Sequence, residues 1–301
     1  GGYNNLVYNT WGTINGGYNN WNYGRYSTTG GGYNNWQYGA YYATIAGGYN
    51  NYLFSYSATV GGGQYNSGYG SWGHVGGGQY NHGFGTWGNI AGGASNYASG
   101  TAHVILGGVS NYMYSSYSTI HGGESNLIGP AYATIGGGTG NYVYAYAATV
   151  AGGAYSSSYG YMAATAGGMY SRAMSSYNFV GGGYSTWASG EYTITLGGES
   201  NYAQGYHSSI GGGSSNAVYS SYSMVAGGYG NYIYTAHSMI GGGAGNYLYG
   251  YSASINGGSA NTVYSSYSAV NGGTHNLDGS SFNRIGGGEY NHQYAYADSI
   301  G

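Results

Sequence analysis

Small, β-branched and amide residues recur along this chain with a period of fifteen residues, as the segment GGSSNAVYSSYSMVA (212–226) shows. Each repeat opens with Gly-Gly, and positions are numbered from that pair. Position 5 is Asn in seventeen of twenty repeats, position 7 is often aliphatic, positions 9 and 12 are mostly small, and position 14 is Ile or Val in seventeen repeats. Alternate positions therefore share a face, which predicts two short β-strands per repeat.

Two such strands can bury their inward faces only when successive repeats stack, so that each strand pairs with its counterpart one repeat along. We therefore predict an all-β fold, a parallel β-solenoid of about twenty fifteen-residue coils, with turns at Gly-Gly and at positions 10 and 11. A strand spacing of ~4.8 Å would make this a rod of roughly 95 Å. Small side chains at positions 9 and 12 suit a narrow core, which Ile or Val at position 14 fills.

The repeat frame runs through the whole chain without a linker. This predicts a single repeat domain over residues 1–301, and because the chain opens with Gly1 at a repeat boundary, we interpret it as an interior segment of a longer fibre protein. Only the repeat from Gly31 to Ala46 has sixteen residues. Its doubled Tyr41-Tyr42 predicts that the extra residue lies at a turn, where an insertion disturbs the fold least.

The Asn at position 5 is predicted to point inward. A buried amide needs hydrogen-bond partners, and identical amides stacked at the strand spacing can supply them to one another. We therefore predict an Asn ladder along the axis, interrupted at Ser156, Ser171 and Thr186. The residues assigned to this ladder are Asn96, Asn111, Asn126, Asn141, Asn201, Asn216, Asn231, Asn246 and Asn261.

Aromatic residues occupy the outward position 8 in fourteen repeats, and position 6 adds further Tyr and Trp. An aromatic face of this extent exceeds the few hundred Å² usual on a soluble chain and predicts a contact surface. We expect contact with identical chains, in a trimer or a filament; the alternative is glycans stacked on Tyr and Trp. The residues assigned to this face are Tyr8, Tyr23, Tyr38, Tyr114, Tyr144, Tyr219, Tyr234, Tyr249, Tyr264 and Tyr294.

A second aromatic row lies at the next turn, usually at position 11. In some repeats the aromatic residue is shifted to position 10, as at Tyr161, Tyr206, Tyr251 and Tyr296, which are spaced by 45 residues. Every third coil therefore has a different environment. A staggered neighbour and a three-sided arrangement both account for this spacing.

The composition excludes several classes of function. With 68 Gly, 45 Tyr, one Pro and 3% charged residues, it is typical of a fibrous or solenoid protein. Three Lys+Arg form no basic surface for nucleic acid and no polybasic segment for direct membrane contact. The chain has no Cys and therefore no disulfide or thiolate metal site. A disordered tract rich in Gly, Tyr and Ser is the alternative that this composition suggests. The regular Ile or Val at position 14 from Ile14 to Ile300 argues against it, because disorder does not require a fixed apolar position.

Catalytic chemistry in a solenoid needs His, Asp or Glu at one phase in neighbouring repeats, since only those side chains would lie ~4.8 Å apart. His207 and His237 share a phase but are two coils apart. Glu124, Glu199 and Glu289 share position 3 but are five or more coils apart. We therefore predict no enzyme activity, no metal site and no cofactor.

Two stretches, GGASNYASG (92–100) and GGESNLIGPAYATIG (122–136), carry a resemblance to a known type of repeat. They resemble the Gly-Gly-x-x-Asn-x-Ala-x-Gly-x-Tyr-Ser-Thr-Val head repeats of trimeric autotransporter adhesins and similar repeats of bacteriophage tail fibres. The resemblance covers all twenty repeats. It implies a left-handed parallel β-roll, often with three chains side by side, on the outside of a cell or virion. This chain differs in carrying Tyr where those repeats often have Ala or charge.

These patterns favour a structural subunit of an extracellular or surface fibre that assembles through its outward aromatic face. An adhesin or phage receptor-binding fibre, which would hold glycans on exposed Tyr and Trp, is the alternative from another class. An ice-binding solenoid is a remote third, because Thr28, Thr44 and Thr59 recur at position 13 but His74 and Phe179 interrupt that array.

Overall fold

The structure, a computed structural model, describes residues 1–39 and 41–300. This part of the chain contains forty short β-strands and no helix. It confirms the predicted fold class, a parallel β-solenoid of about twenty coils of about fifteen residues each. The chain forms two compact units, Gly1–Ala147 and Ala148–Gly301, which are described separately. The single domain over residues 1–301 stays a prediction.

In the first unit, one strand of each coil covers positions 6 and 7 and the other covers positions 13 and 14. The two sets form separate sheets in which every strand pairs in parallel with the strand one coil along. The first sheet contains β1 (Leu6–Val7), β3 (Trp21–Asn22), β5 (Trp36–Gln37), β7 (Tyr52–Leu53), β9 (Ser67–Gly68), β11 (His82–Thr86), β13 (Tyr97–Thr101), β15 (Tyr112–Met113), β17 (Leu127–Ile128) and β19 (Tyr142–Val143). The second contains β2 (Thr13–Ile14), β4 (Thr28–Thr29), β6 (Thr44–Ile45), β8 (Thr59–Val60), β10 (His74–Val75), β12 (Asn89–Ile90), β14 (Val104–Ile105), β16 (Thr119–Ile120) and β18 (Thr134–Ile135).

The second unit repeats this arrangement with the same register of one coil. Its first sheet contains β21 (Ser157–Ser158), β23 (Arg172–Ala173), β25 (Trp187–Ala188), β27 (Tyr202–Ala203), β29 (Ala217–Val218), β31 (Tyr232–Ile233), β33 (Tyr247–Leu248), β35 (Thr262–Val263), β37 (Leu277–Asp278) and β39 (His292–Gln293). Its second contains β20 (Thr149–Val150), β22 (Ala164–Thr165), β24 (Phe179–Val180), β26 (Ile194–Thr195), β28 (Ser209–Ile210), β30 (Met224–Val225), β32 (Met239–Ile240), β34 (Ser254–Ile255), β36 (Ala269–Val270), β38 (Arg284–Ile285) and β40 (Ser299–Ile300).

Backbone hydrogen bonds join each coil to both of its neighbours. In the coil 212–226, the N–H groups at positions 3, 6, 8, 13 and 15 donate to carbonyl groups of the following coil over 2.9–3.0 Å. The N–H groups at positions 4 and 11, those of Ser215 and Tyr222, donate instead to the preceding coil over 2.9 Å. The bonds at position 3 form a third line of parallel bridges, such as Ser214 to Tyr229, which the sequence pattern did not predict.

Positions 4 and 11 adopt the left-handed backbone conformation throughout the described chain, as Asn4 (φ 55°) and Tyr222 (φ 54°) illustrate. This conformation costs an L-residue roughly 1–2 kcal/mol and suits Gly and Asn best. Position 4 is accordingly often Asn, Ser or Gly. Position 11 is mostly aromatic instead, and no β-branched residue occurs there. The prediction of a turn at positions 10 and 11 did not include a left-handed residue, and position 4 was missed as a turn position.

The core lies between the two sheets and consists of side chains from positions 5, 7, 9, 12 and 14. In the second unit, Val218, Ile233 and Leu248 from position 7 pack with Val225 and Ile240 from position 14, and all five are completely buried. Burying each such side chain stabilises the fold by ~1.5–3 kcal/mol.

Some polar side chains in this core have hydrogen-bond partners in their own coil or in a neighbouring one. Asn22 is fully buried at position 7, and its Oδ1 accepts from the Ser27 hydroxyl over 2.7 Å. Asp278 is also fully buried, and its carboxylate accepts from Ser265 Oγ over 3.0 Å and from Asn283 Nδ2 over 2.9 Å. Each hydrogen bond offsets part of the cost of removing a polar group from water.

His103 is one of the buried polar side chains of the first unit that lack a hydrogen-bond partner, as do the hydroxyl groups of Thr29 and Ser115. It occupies position 12, is completely buried, and has no hydrogen-bond partner on either ring nitrogen. Its ring fills space left by glycines of the preceding coil, since a Cβ on Gly88 would lie 2.2 Å from His103 Nε2 and one on Gly85 would lie 2.6 Å from Cε1. Burial is the largest influence on the pKa of His103 and lowers it.

The extra residue of the sixteen-residue repeat precedes the Tyr pair. Arg25, Tyr41 and Tyr56 are consecutive bridge partners at position 10, so Tyr41 and Tyr42 occupy the normal positions 10 and 11. Register is also normal up to Gln37, which pairs with Leu53. The insertion therefore falls at the turn that follows β5, where Ala40 lies outside the described residues.

Candidate functional site

The outward residues are held by an inward scaffold built from the Asn at position 5. Asn231 Nδ2 donates to three oxygens: Asn216 Oδ1 of the preceding coil over 3.1 Å, the Gly227 carbonyl of its own coil over 3.0 Å, and the Gly243 carbonyl of the following coil over 3.0 Å. Its backbone N–H also donates to Asn216 Oδ1 over 3.0 Å. One side chain thus connects three successive coils.

This geometry explains the Gly-Gly pair. The second glycine has a positive φ, as at Gly228 (94°), and a Cβ there would lie 2.1 Å from the Gly243 carbonyl oxygen and 2.7 Å from Asn231 Nδ2. Only glycine permits the two coils to approach closely enough for the Asn amide to reach both. The Gly-Gly and Asn signals in the sequence therefore belong to one structural element.

The residues assigned to the ladder are all buried and all join this chain of amides. Asn141 donates from its backbone N–H to Asn126 Oδ1 over 3.0 Å and from Nδ2 to the Gly137 carbonyl over 2.8 Å. At the interruption, Ser171 Oγ lies 3.1 Å from Thr186 Oγ1, and Thr186 Oγ1 donates to the Gly182 carbonyl over 2.5 Å. Ser171 Oγ also donates to the Gly183 carbonyl over 3.3 Å, so the shorter hydroxyl side chains keep contacts along the axis. The remaining assigned residues are Asn96, Asn111, Asn126, Asn201, Asn216, Asn231, Asn246 and Asn261.

Position 8 follows the first strand of each coil and points outward. In the second unit, Tyr219, Tyr234, Tyr249 and Tyr264 form one continuous column, with ring centroids 5.1, 4.8 and 5.2 Å apart and ring planes within 17° of parallel. Their side chains are 39–57% exposed in the isolated chain. Gly279 follows in the next coil and ends this column, so Tyr294 does not continue it.

The predicted aromatic residues of the first unit form two groups. Tyr8, Tyr23 and Tyr38 belong to a column that continues through Phe54, with centroids 5.3–5.5 Å apart. Beyond Phe84, position 8 is Ser99, and Tyr97 from position 6 takes over, lying 5.3 Å from Tyr114. Tyr144 packs on Tyr142 of its own coil with centroids 5.8 Å apart. The predicted face is therefore a set of columns with breaks.

In the column from Tyr219 to Tyr264, the ring faces are covered by neighbouring rings. Parallel rings with centroids 4.8 Å apart, such as Tyr234 and Tyr249, are too close to lie side by side and must overlap face to face. Solvent therefore meets ring edges and phenol hydroxyls. Partial burial, together with the neighbouring phenols, raises the pKa of Tyr234 and Tyr249, so both stay neutral at physiological pH.

Further columns occur where the sequence analysis assigned none. Tyr3, Tyr18, Tyr33 and Tyr49 stack at position 3 with centroids 5.0–5.2 Å apart. Beside them, Asn4, Asn19, Asn34 and Asn50 form a second, outward amide ladder with Nδ2 to Oδ1 distances of 2.5–2.8 Å. The sequence pattern that could have predicted both columns is the Tyr-Asn pair at positions 3 and 4 of the first four repeats.

The 45-residue spacing corresponds to a change of ring packing. Tyr251 at position 10 meets Tyr267 at position 11 of the next coil edge to face, with planes at 81°. Tyr267 then stacks on Phe282 with planes at 13°, and Phe282 meets Tyr296 at 67°. Where the ring is at position 10, an edge-to-face contact with the ring of the neighbouring coil thus replaces a stacked contact. Edge-to-face contact is a favourable aromatic geometry. The superperiod is therefore accompanied by a periodic change of ring packing within the chain.

Few charged side chains are available on this surface to form a catalytic or metal site. Within residues 1–39 and 41–300, no three His, Asp or Glu side chains lie where together they could hold a metal ion. The same residues contain no helix of the length and apolar character that would cross a membrane.

The fold and surface define a class of protein, a parallel β-solenoid with an amide-bonded interior and outward aromatic columns. No protein-family model matches the chain, and no curated protein is significantly similar to it.

Proposed function

We propose that this chain is a structural subunit of an extracellular or surface fibre, and that its outward aromatic columns pack against identical chains. The β-solenoid of short repeats is compatible with a fibre or with an adhesin-like role. The resemblance of its repeats to those of trimeric adhesins and phage fibres supports a place on the outside of a cell or virion.

The observation that carries the proposal is the covering of ring faces within the Tyr219–Tyr264 column. Because each face is stacked on the next ring, the column offers a partner only edges and hydroxyls. A second column with the same axial period can pack its ring edges against these edges along its whole length. Burial of aromatic area then provides the free energy of association.

The charge of the chain also supports lateral assembly. A net charge of -3 on 301 residues produces little repulsion between identical chains. Exposed aromatic side chains without surrounding charge are characteristic of surfaces that become buried in an assembly. Adhesion through sugars stacked along the columns, the alternative, needs open ring faces, and the continuous columns do not provide them.

The test replaces Tyr219, Tyr234, Tyr249 and Tyr264 with Ser. We expect the variant to lose assembly, measured by sedimentation velocity and electron microscopy, while its circular dichroism spectrum and melting profile stay close to those of the parent. The inward residues of the same strands are unchanged, so the single solenoid keeps its core. Assembly at the parent's concentration dependence would reject the proposal.

A matched control removes four exposed tyrosines from the other turn of the same unit. Tyr177, Tyr192, Tyr222 and Tyr267 all lie at position 11 and are 38–53% exposed. Tyr177 stacks on Tyr192, Tyr222 lies between His207 and His237, and Tyr267 stacks on Phe282. Their replacement with Ser changes the composition equally. Assembly of this control, together with loss of assembly in the first variant, would assign the contact to position 8 and not to tyrosine content.

A further inference from the structure

The first unit contains an open trough where the aromatic column at position 6 is interrupted. Strand pairing places Tyr52, Ser67, His82 and Tyr97 in four successive coils at this position. The small Ser67 side chain follows Tyr52, so no ring stacks on the side of Tyr52 that faces the next coil. The resulting trough has a volume of about 350 Å³.

Two pairs of stacked rings form the walls of this trough. On one side, Tyr65 and Tyr80 at position 4 are 4.8 Å apart with planes within 3°. On the other, Tyr69 and Phe84 at position 8 are 4.7 Å apart with planes within 1°. Because each pair is stacked and anchored on adjacent coils, the walls are held in place before any ligand arrives.

The floor of the trough is polar. Ser67 is 4% exposed, and its Oγ lies 2.5 Å from Nδ1 of the half-buried His82. Burial lowers the pKa of His82, so the imidazole is neutral at physiological pH. Since Nδ1 is engaged by Ser67, Nε2 is the ring atom left to bond a ligand, and the structure gives it no protein partner.

These features specify the chemistry of a ligand. The lining contains no side chain that is charged at neutral pH, so a charged group would lose its hydration without gaining a counter-ion. The walls are apolar, whereas His82 Nε2 and the rim phenols can donate and accept hydrogen bonds. A ring with apolar C–H groups and several hydroxyls satisfies both requirements, and a purely hydrocarbon ring satisfies only the first.

We propose that this trough, bounded by Tyr52 and floored by Ser67 and His82, binds a neutral sugar ring. The ring lies against Tyr52 between the two aromatic walls, and one of its hydroxyls bonds His82 Nε2. Tyr69 and Phe84 of its wall belong to the position-8 column of the first unit, but the face of Tyr52 that the sugar uses is open, unlike the ring faces of the Tyr219–Tyr264 column. The site forms within a single chain. Small sites of this kind give single sugar rings dissociation constants on the order of millimolar.

The test titrates the full chain with methyl glycosides of glucose, galactose, mannose and N-acetylglucosamine, and with phenol as the aromatic probe. Saturation-transfer NMR detects contact, and chemical-shift titration gives the dissociation constant. We expect at least one glycoside to bind more tightly than phenol. Phenol binding without any glycoside, or no binding of any probe at about 20 mM, well above the expected constant, would overturn the proposal.

Two variants locate the site. Ser67→Tyr supplies the missing ring with the residue that position 6 carries in the preceding coil, Tyr52, and we expect at least a tenfold weaker association. His82→Phe keeps a ring but removes Nε2, and we expect a several-fold loss. Thr262→Tyr adds the same side chain at position 6 of the second unit and serves as the control, with unchanged binding.

The variants also separate this proposal from the fibre proposal. Unchanged sugar affinity in Ser67→Tyr and His82→Phe would reject the trough as the binding site. Sedimentation of the same variants reports assembly independently. Loss of sugar binding with normal assembly supports the trough and leaves the position-8 contact to its own test.

Discussion

The side-chain oxygen of Asn216 accepts two hydrogen bonds from Asn231, one from the backbone N–H over 3.0 Å and one from Nδ2 over 3.1 Å. Register, coil spacing and burial of the amide are therefore coupled in one contact. A slip of the coil by one residue would turn the amide outward and break both bonds.

Replacement of Asn231 by Ala tests this coupling. The change removes the Nδ2 hydrogen bonds to Asn216 Oδ1 and to the Gly227 and Gly243 carbonyls. Asn216 Oδ1 keeps only the backbone N–H of residue 231. Unsatisfied buried groups cost ~1–3 kcal/mol. We expect the urea-unfolding free energy to fall by that amount.

The matched control for this change is Asn256→Ala, because Asn256 is an exposed amide at position 15 that bonds only Asn271. Its effect is expected within about 0.5 kcal/mol of zero, as for most surface substitutions. Equal losses in the two variants would show that the inward ladder contributes no special stability.

A charge in the core is predicted to disrupt the coils around it. Ile240 is completely buried at position 14 among aliphatic side chains, and Ile240→Asp places a carboxylate there without a partner. Such a group costs several kcal/mol of stability or shifts its pKa to remain neutral. We expect a large drop in melting temperature and increased proteolysis between β30 and β34.

The corresponding change at Ser254, which lies at outward position 13, is the control. Its side chain is partly exposed, so an aspartate there stays in contact with water. Little change in melting is expected. If Ser254→Asp and Ile240→Asp melted at the same temperature, the inward assignment of position 14 would not stand.

Acid is predicted to weaken the first unit through His103. Burial lowers its folded-state pKa below the ordinary value of about 6.5, so below that pH the unfolded chain binds more protons than the folded one. Stability therefore decreases as the pH falls through about 6.5, and the loss continues until the folded-state pKa is reached. Unfolding free energies at neutral and acidic pH measure this slope.

The variant His103→Asn introduces the residue that other coils carry at position 12, such as Asn178 and Asn283. This variant should reduce the loss of unfolding free energy at acidic pH. His121→Asn, a change at an exposed histidine, should leave that loss unchanged. Identical slopes in parent and His103→Asn would rule out His103 as the source. Burial also lowers the pKa of His82, so this residue is expected to contribute to the pH dependence that remains in the His103→Asn variant.

The sequence alone determined the coil. Twenty stacked copies must present the same chemistry at the same phase, so Gly-Gly, Asn at position 5 and Ile or Val at position 14 could be recognised as turn, ladder and core without coordinates. The breaks at Ser171 and Thr186 were visible for the same reason. Each of these features depends on one position repeated along the axis.

Tertiary structure decided what depends on several positions together. The left-handed backbone at positions 4 and 11 follows from the path of the coil, since aromatic residues such as Tyr222 do not prefer that conformation. Ring orientation depends on neighbours one coil away, as the edge-to-face contact of Tyr251 with Tyr267 shows. The Ser67–His82 trough exists because columns at positions 4, 6 and 8 lie side by side, and a one-dimensional repeat pattern does not specify the distances between columns.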